Sequence, residues 1–184
     1  MVIGGQPASY AVEFWSYPNV ELIQNWSCVL NDYPRVMVGG PTVNLVSGHL
    51  VACYWDSCEI YREGSWQHLQ YTTATRRFHS SATTEDAVLL IGGDNSNSTE
   101  WIPVNGSSAL PGPFTVRHGN SHCSIQISED IIVVTGGRFT DNYATQYRLT
   151  DGSETPLTSL GQGRWDHACG VYRDPGGQHV SKTL

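Results

Sequence analysis

Val88-Leu89-Leu90-Ile91-Gly92-Gly93 is a short apolar run that ends in paired glycine, and it has counterparts along the chain. Val2-Ile3-Gly4-Gly5 precedes it and Ile131-Ile132-Val133-Val134-Thr135-Gly136-Gly137 follows it. Between the first two, His49-Leu50-Val51-Ala52-Cys53 carries Ala-Cys in place of the glycines. The second position of each pair falls at 5, 53, 93 and 137, in steps of 48, 40 and 44 residues. An aromatic side chain follows each pair, at Trp15, Tyr61, Trp101 and Tyr147. An arginine then opens the next segment, at Arg35, Arg77, Arg117 and Arg164. The last three lead into His79-Ser80-Ser81, His122-Cys123-Ser124 and His167-Ala168-Cys169. Several landmarks recurring in one order mark an internal repeat, the signature of a chain built from stacked units.

The units read as β. Their apolar runs are short, rich in Val and Ile, and bounded by Gly, Asp, Asn and Ser, and no stretch sustains a helical period. Because the runs are apolar on successive residues, they predict strands buried on both faces, as inner strands of stacked sheets are. Paired glycine permits positive φ and close backbone approach, which suits a tight strand exit. Glu63-Gly64 and Asp151-Gly152 read as hairpin turns. About four strands per 40–50 residues is the make-up of a propeller blade.

Apolar run, double glycine, spacer, aromatic and then a second aromatic or apolar residue resembles the kelch repeat, over essentially the whole chain. The glycine pairs and first aromatics match well. The kelch tryptophan is clear at Trp66, with Trp26 a second candidate, and Leu110 and Leu157 stand in for it elsewhere. The resemblance implies an all-β, kelch-type propeller with four-stranded antiparallel blades. It extends over residues 1–184 as one region of four repeats of about 40–48 residues, at 1–48, 49–88, 89–132 and an incomplete 133–184. Kelch propellers usually have about six or seven blades, so the expectation is part of a larger propeller rather than a closed four-bladed ring. The start within a glycine-pair strand and the end where another should form are complementary, as in propellers that join their termini.

Composition excludes several classes. Hydrophobic residues make up 39% and charged ones 15%, too apolar for disorder and too lightly charged for a coiled coil. No segment reaches the roughly 20 apolar residues that span a bilayer, so no membrane insertion is expected. A net charge of −7 argues against a nucleic-acid partner, which demands a basic stripe. Cys28, Cys53, Cys58, Cys123 and Cys169 are too scattered for a zinc ribbon. Cys53 and Cys58 can pair if they face each other across a turn. Sequons at Asn25, Asn97 and Asn105, together with the cysteines, lean towards an extracellular location.

His79, His122 and His167 hold equivalent places, and three imidazoles converging near an axis would suit a metal. Recurrence favours the plainer role of bridging the units, and the same holds for the arginines. Function should sit where units differ, in the loops of one end. Tyr10, Tyr54, Trp55, Asn95 and Tyr143 follow the glycine-pair positions and form the candidate interaction loops. Patterns of hydrolases, zinc proteases, phosphate loops and dinucleotide folds are absent. The expectation is a non-catalytic module, with no cofactor, that binds a protein or peptide. The alternatives are a propeller enzyme, such as a copper oxidase or sugar-processing enzyme, and a truncated piece without independent function. A truncated propeller would require its missing blades or self-associate.

Overall fold

In the computed structural model, residues 42–94, 96–117, 119–138 and 142–169 are described in full. The backbone alone is described for strands at 2–3, 12–13, 170–173 and 179–183. Gly4, Gly5, Tyr10, Trp15, Asn25, Trp26, Cys28, Arg35 and Asn95 lie outside the described residues. The fold is all-β, with no helix among the described residues. A short pair joins β1 (Val2–Ile3) to β2 (Val12–Glu13). A first sheet runs β3 (Thr42–Val46), β4 (His49–Arg62), β5 (Ser65–Arg76). The second runs β6 (Ser80–Thr83), β7 (Ala87–Ile91), β8 (Ser98–Pro103), β9 (Leu110–Thr115). The third runs β10 (Cys123–Gln126), β11 (Ile131–Thr135), β12 (Ala144–Arg148), β13 (Glu154–Pro156). A last pair joins β14 (Cys169–Arg173) to β15 (His179–Thr183). Every pairing is antiparallel between chain neighbours.

The glycine-pair runs form the second strand of the second and third sheets. All five residues of β7 are buried. The side chains of Val88 and Leu90 pack towards the first sheet, and those of Leu89 and Ile91 towards the third. Alternate side chains of a strand leave by opposite faces, so an unbroken apolar run is what a sheet covered on both sides requires. Each of these side chains stabilises the fold by about 1.5–3 kcal/mol. Ser47-Gly48 and Glu63-Gly64 both take positive φ at two successive positions, 49° and 76°, 50° and 79°, the conformation of tight two-residue hairpins.

Strand β4 is not straight. Five residues of extended chain would span about 17 Å, whereas the Cα atoms of Cys53 and Cys58 lie 4.1 Å apart and the two are joined by a disulfide. The chain therefore doubles back over 54–57, with Trp55 at φ 60°. One arm of β4 pairs with β3 and the other with β5. The first sheet thus repeats the course of its four-stranded neighbours.

Successive sheets are sealed by apolar layers. Val51, Cys53, Cys58 and Ile60 face Val88, Leu90 and Ile102. Ala82, Leu89, Ile91 and Phe114 face Ile132, Val134 and Tyr147, with Phe114 and Tyr147 stacked at 4.4 Å between ring centroids. The opening strands β3, β6 and β10 stand side by side. Asn44 Oδ1 accepts from Ser81 Oγ, and Ser124 Oγ donates to the Ser81 carbonyl, each at 3.0 Å. A second disulfide, Cys123–Cys169, ties β10 to β14. The described sheets follow one another in chain order without closing a ring.

Candidate binding site

In the second and third sheets the second strand leaves at the end where the chain also crosses to the next sheet, and the paired glycines join the two. Gly92 and Gly93 have φ of 59° and 116°, and Gly136 and Gly137 have 65° and 110°. A Cβ on Gly136 would stand 2.3 Å from the Arg164 carbonyl oxygen and 2.5 Å from His167 Cε1. The backbone bonds repeat as well. Gly93 N–H donates to the Gly119 carbonyl at 3.2 Å, and Gly137 N–H to that of Arg164 at 2.9 Å. The next residue, Asp94 or Arg138, donates to the carbonyl of Arg77 or Asn120, at 2.8 and 3.0 Å. Phe78, Ser121 and Asp166 share a φ of 51–57°. Ser121 N–H donates to the Phe78 carbonyl and Asp166 N–H to that of Ser121.

This joint corrects the arginine alignment. With Phe78, Ser121 and Asp166 in register, Arg76 rather than Arg77 matches Arg164, and Arg117 lies two positions away. Arg76 is fully buried; its Nε meets Glu100 Oε2 at 3.3 Å, and its other nitrogens donate to the carbonyls of Gly92 and Ser98 and to Ser98 Oγ. It fastens the first sheet to the second. Arg77 is half-exposed beside it, 3.4 Å from Asp94 Oδ2, and its guanidinium lies 5.3 Å from the centre of the Trp55 ring.

Arg77, Asp94, Ser96, Asn97, Asn120 and Arg138 line an open cleft of about 570 Å³ at this glycine end. Asn120 is buried; its Nδ2 donates to Asp94 Oδ1, while its Oδ1 has no hydrogen-bond partner. Arg138 is exposed and has no ion pair among the described residues. Trp55, 47% exposed, stands beside Arg77 at the margin. Asn120 and Arg138 were not singled out from the sequence. The available signal was the residue after each glycine-pair position, which varies through Gln6, Tyr54, Asp94 and Arg138.

The histidines sit at the joints and do not converge. His79 Nε2 lies 2.9 Å from Thr42 Oγ1 across the first seam, and His167 Nε2 lies 3.1 Å from Thr135 Oγ1 across the third. His122 is buried against Gly92. Burial, then the charge of Arg76, holds the His79 pKa down at about 4, against a backbone hydrogen bond that raises it. Burial and Arg164 lower that of His167. No three His, Cys, Asp or Glu side chains form a metal-binding group among the described residues.

Of the other expected site residues, Tyr54 is buried beside Ala52. Tyr143 is half-exposed and lines a separate cleft with Arg117, Glu154 and Leu157. Tyr61 is paired with Trp66 across the strands, their rings edge-on at 5.3 Å, and Trp101 pairs with Leu110 in the same register. In the third sheet Glu154, not Leu157, faces Tyr147. Asn97 is exposed in the cleft wall, and Asn105 is exposed at the opposite end, where its Oδ1 accepts from Ser107 N–H at 2.9 Å.

No protein-family model matches the chain. A stretch of 72 residues is 35% identical to the membrane protein insertase YidC of Pseudoalteromonas translucida (strain TAC 125), covering 37% of this chain and 13% of that protein. The match thus spans about an eighth of that relative's length, too little to show a common family. No helix among the described residues is long and apolar enough to cross a membrane.

Proposed function

We propose that the chain is part of a kelch-type β-propeller that binds a protein or peptide partner on its glycine-end face, without catalysis. Side-by-side opening strands, apolar layers between successive sheets and a joint repeated from seam to seam support the propeller. The observation that carries the binding role is the open cleft between the second and third sheets, bordered by Arg77, Arg138 and the exposed Trp55. The residues that recur are occupied in holding the sheets, His79 and His167 through their rings and the paired glycines through their backbone. Those that border the cleft differ from unit to unit, which is where a repeat scaffold carries recognition. Aromatic and arginine side chains supply most of the binding energy at protein interfaces.

The copper-oxidase alternative needs Tyr, Cys and His clustered on copper; among the described residues the four cysteines Cys53, Cys58, Cys123 and Cys169 are engaged in disulfides, and Cys28 lies outside them. The two disulfides fit an oxidising compartment.

Selecting a random peptide library on the immobilised protein, then mapping the tightest complex by hydrogen exchange, tests the face. Protection should appear at 54–57, 92–94 and 119–121. Protection confined to the opposite turns at 47–48, 84–86 and 104–107 would reject it.

A further inference from the structure

The chain offers three sequons, and folding treats them differently. Asn25 lies outside the described residues. Asn97 stands in the cleft wall, and its sequon closes as β8 pairs with β9. The Asn97 carbonyl accepts from Val116 N–H at 2.8 Å, and Thr99, 4% exposed, donates its hydroxyl to the Phe114 carbonyl at 2.6 Å. Asn105-Gly106-Ser107 instead lies in the loop between β8 and β9, where residues 105–108 are all exposed. Asn105 Oδ1 accepts from Ser107 N–H at 2.9 Å, which leaves Nδ2 without a partner among the described residues. A Cβ on Gly106 would meet nothing within 4 Å, so the space around the loop is open. Sequons are used where a chain enters the secretory pathway, and the Cys53–Cys58 and Cys123–Cys169 disulfides fit that compartment. We propose that Asn105 is an N-glycosylation site, which places an oligosaccharide on the loop at the end opposite the cleft.

The transfer needs one co-reactant, a lipid-linked oligosaccharide diphosphate, and neither oxidant nor reductant. Asn105 Nδ2 forms a bond to the sugar C1 as the C1–O bond to the diphosphate breaks. The lipid diphosphate leaves with the electron pair, and Nδ2 gives up one proton. A transferase also recognises the sequon hydroxyl; that of Ser107 is on an exposed residue, whereas that of Thr99 is spent on Phe114. An oligosaccharide is bulky and solubilising, and at Asn105 it stands clear of the glycine end. The site depends on exposure and compartment, so it holds or fails independently of the binding face.

The test is to secrete the full 184-residue chain from mammalian cells behind a signal peptide and strip it with peptide N-glycosidase in heavy-oxygen water. Each glycosylated Asn then appears as a heavy Asp in the peptide mass spectrum, and Asn105 should carry that label. Ser107→Ala keeps the backbone N–H that meets Asn105 Oδ1 but removes the sequon, so it should lose the label and one glycan's step in gel mobility. Translation into microsomes makes the same comparison without requiring secretion, and there the wild type should gain one glycan more than Ser107→Ala. An unlabelled Asn105 in secreted, disulfide-bonded protein, or equal products from the two chains in microsomes, overturns the proposal.

Discussion

Arg76 and Glu100 form an ion pair with almost no solvent contact, and every group of the pair is engaged; Glu100 Oε1 also accepts from Thr73 N–H at 2.7 Å. Removing one partner strands a buried charge, so Arg76→Met should cost about 3–5 kcal/mol. The paired change of Arg76 and Glu100 to Met should cost distinctly less than the single one. Urea unfolding of the three proteins checks the ordering. At Gly136 the obstacle is backbone on both counts, a φ of 65° and a carbonyl 2.3 Å from a would-be Cβ. Gly136→Ala should lose about 2 kcal/mol or more, while Gly161→Ala, with open space around it, should be nearly neutral in the same assay. His79 contributes a pH dependence of definite sign. Its folded pKa of about 4 lies below the ordinary 6.5, so the unfolded chain takes up the proton first. Stability is complete above about pH 6.5 and falls towards pH 4, by about 3 kcal/mol in total. Urea midpoints measured across that range should decline in the wild type and flatten in His79→Gln. At this scale the sequence was partly legible. The recurring His and Gly announced a joint, but which of two adjacent arginines enters the core depends on strand register, and Arg76-Arg77 carries no mark of it.

Among the elements, the strands that precede the glycine pairs were the most legible, because unbroken Val, Leu and Ile over five residues has few alternatives to a doubly covered strand. Strand β4 was legible as a folded-back unit through its cysteines, because Cys53 and Cys58 can pair only across a turn, and the disulfide joins them there. Ala-Cys replaces the glycines there, and a disulfide between Cys53 and Cys58 supplies the turn that backbone bonding supplies at Gly93 and Gly137. Cleft residues, by contrast, were hidden. Asn120 and Asp94 meet only because one sheet's exit loop rests on the connection into the next, 26 residues apart. The Cys123–Cys169 link joins opening strands of successive units, and closing a loop of that length limits the unfolded chain. Cys169→Ser should lower stability by about 2–4 kcal/mol. Chemical denaturation with and without reductant measures it, and the wild type should approach the variant once reduced.

At the scale of the whole molecule, among the described residues, three sheets and then the β14–β15 pair stand in file, each resting on the last. A larger ring predicts that the 184-residue chain associates with itself as concentration rises, since terminal sheets offer unsatisfied faces and edges. Light scattering on a size-exclusion column reads this directly. A compact monomer that melts in one step would instead favour closure by four units. The repeat period announced the succession of sheets; it carries no information on their total number, because the joint at Gly92-Gly93 recurs at Gly136-Gly137 without change. The covalent tie between β10 and β14 has a mechanical consequence. Pulled from its two ends, the protein cannot pay out the 46-residue span between Cys123 and Cys169, some 160 Å of contour at about 3.5 Å per residue. Stretched in an optical trap, the oxidised chain should stop short by that length, and adding reductant should release it. The third sheet lies wholly inside the tied span, so tension applied at the termini bypasses it and loads the first two sheets instead.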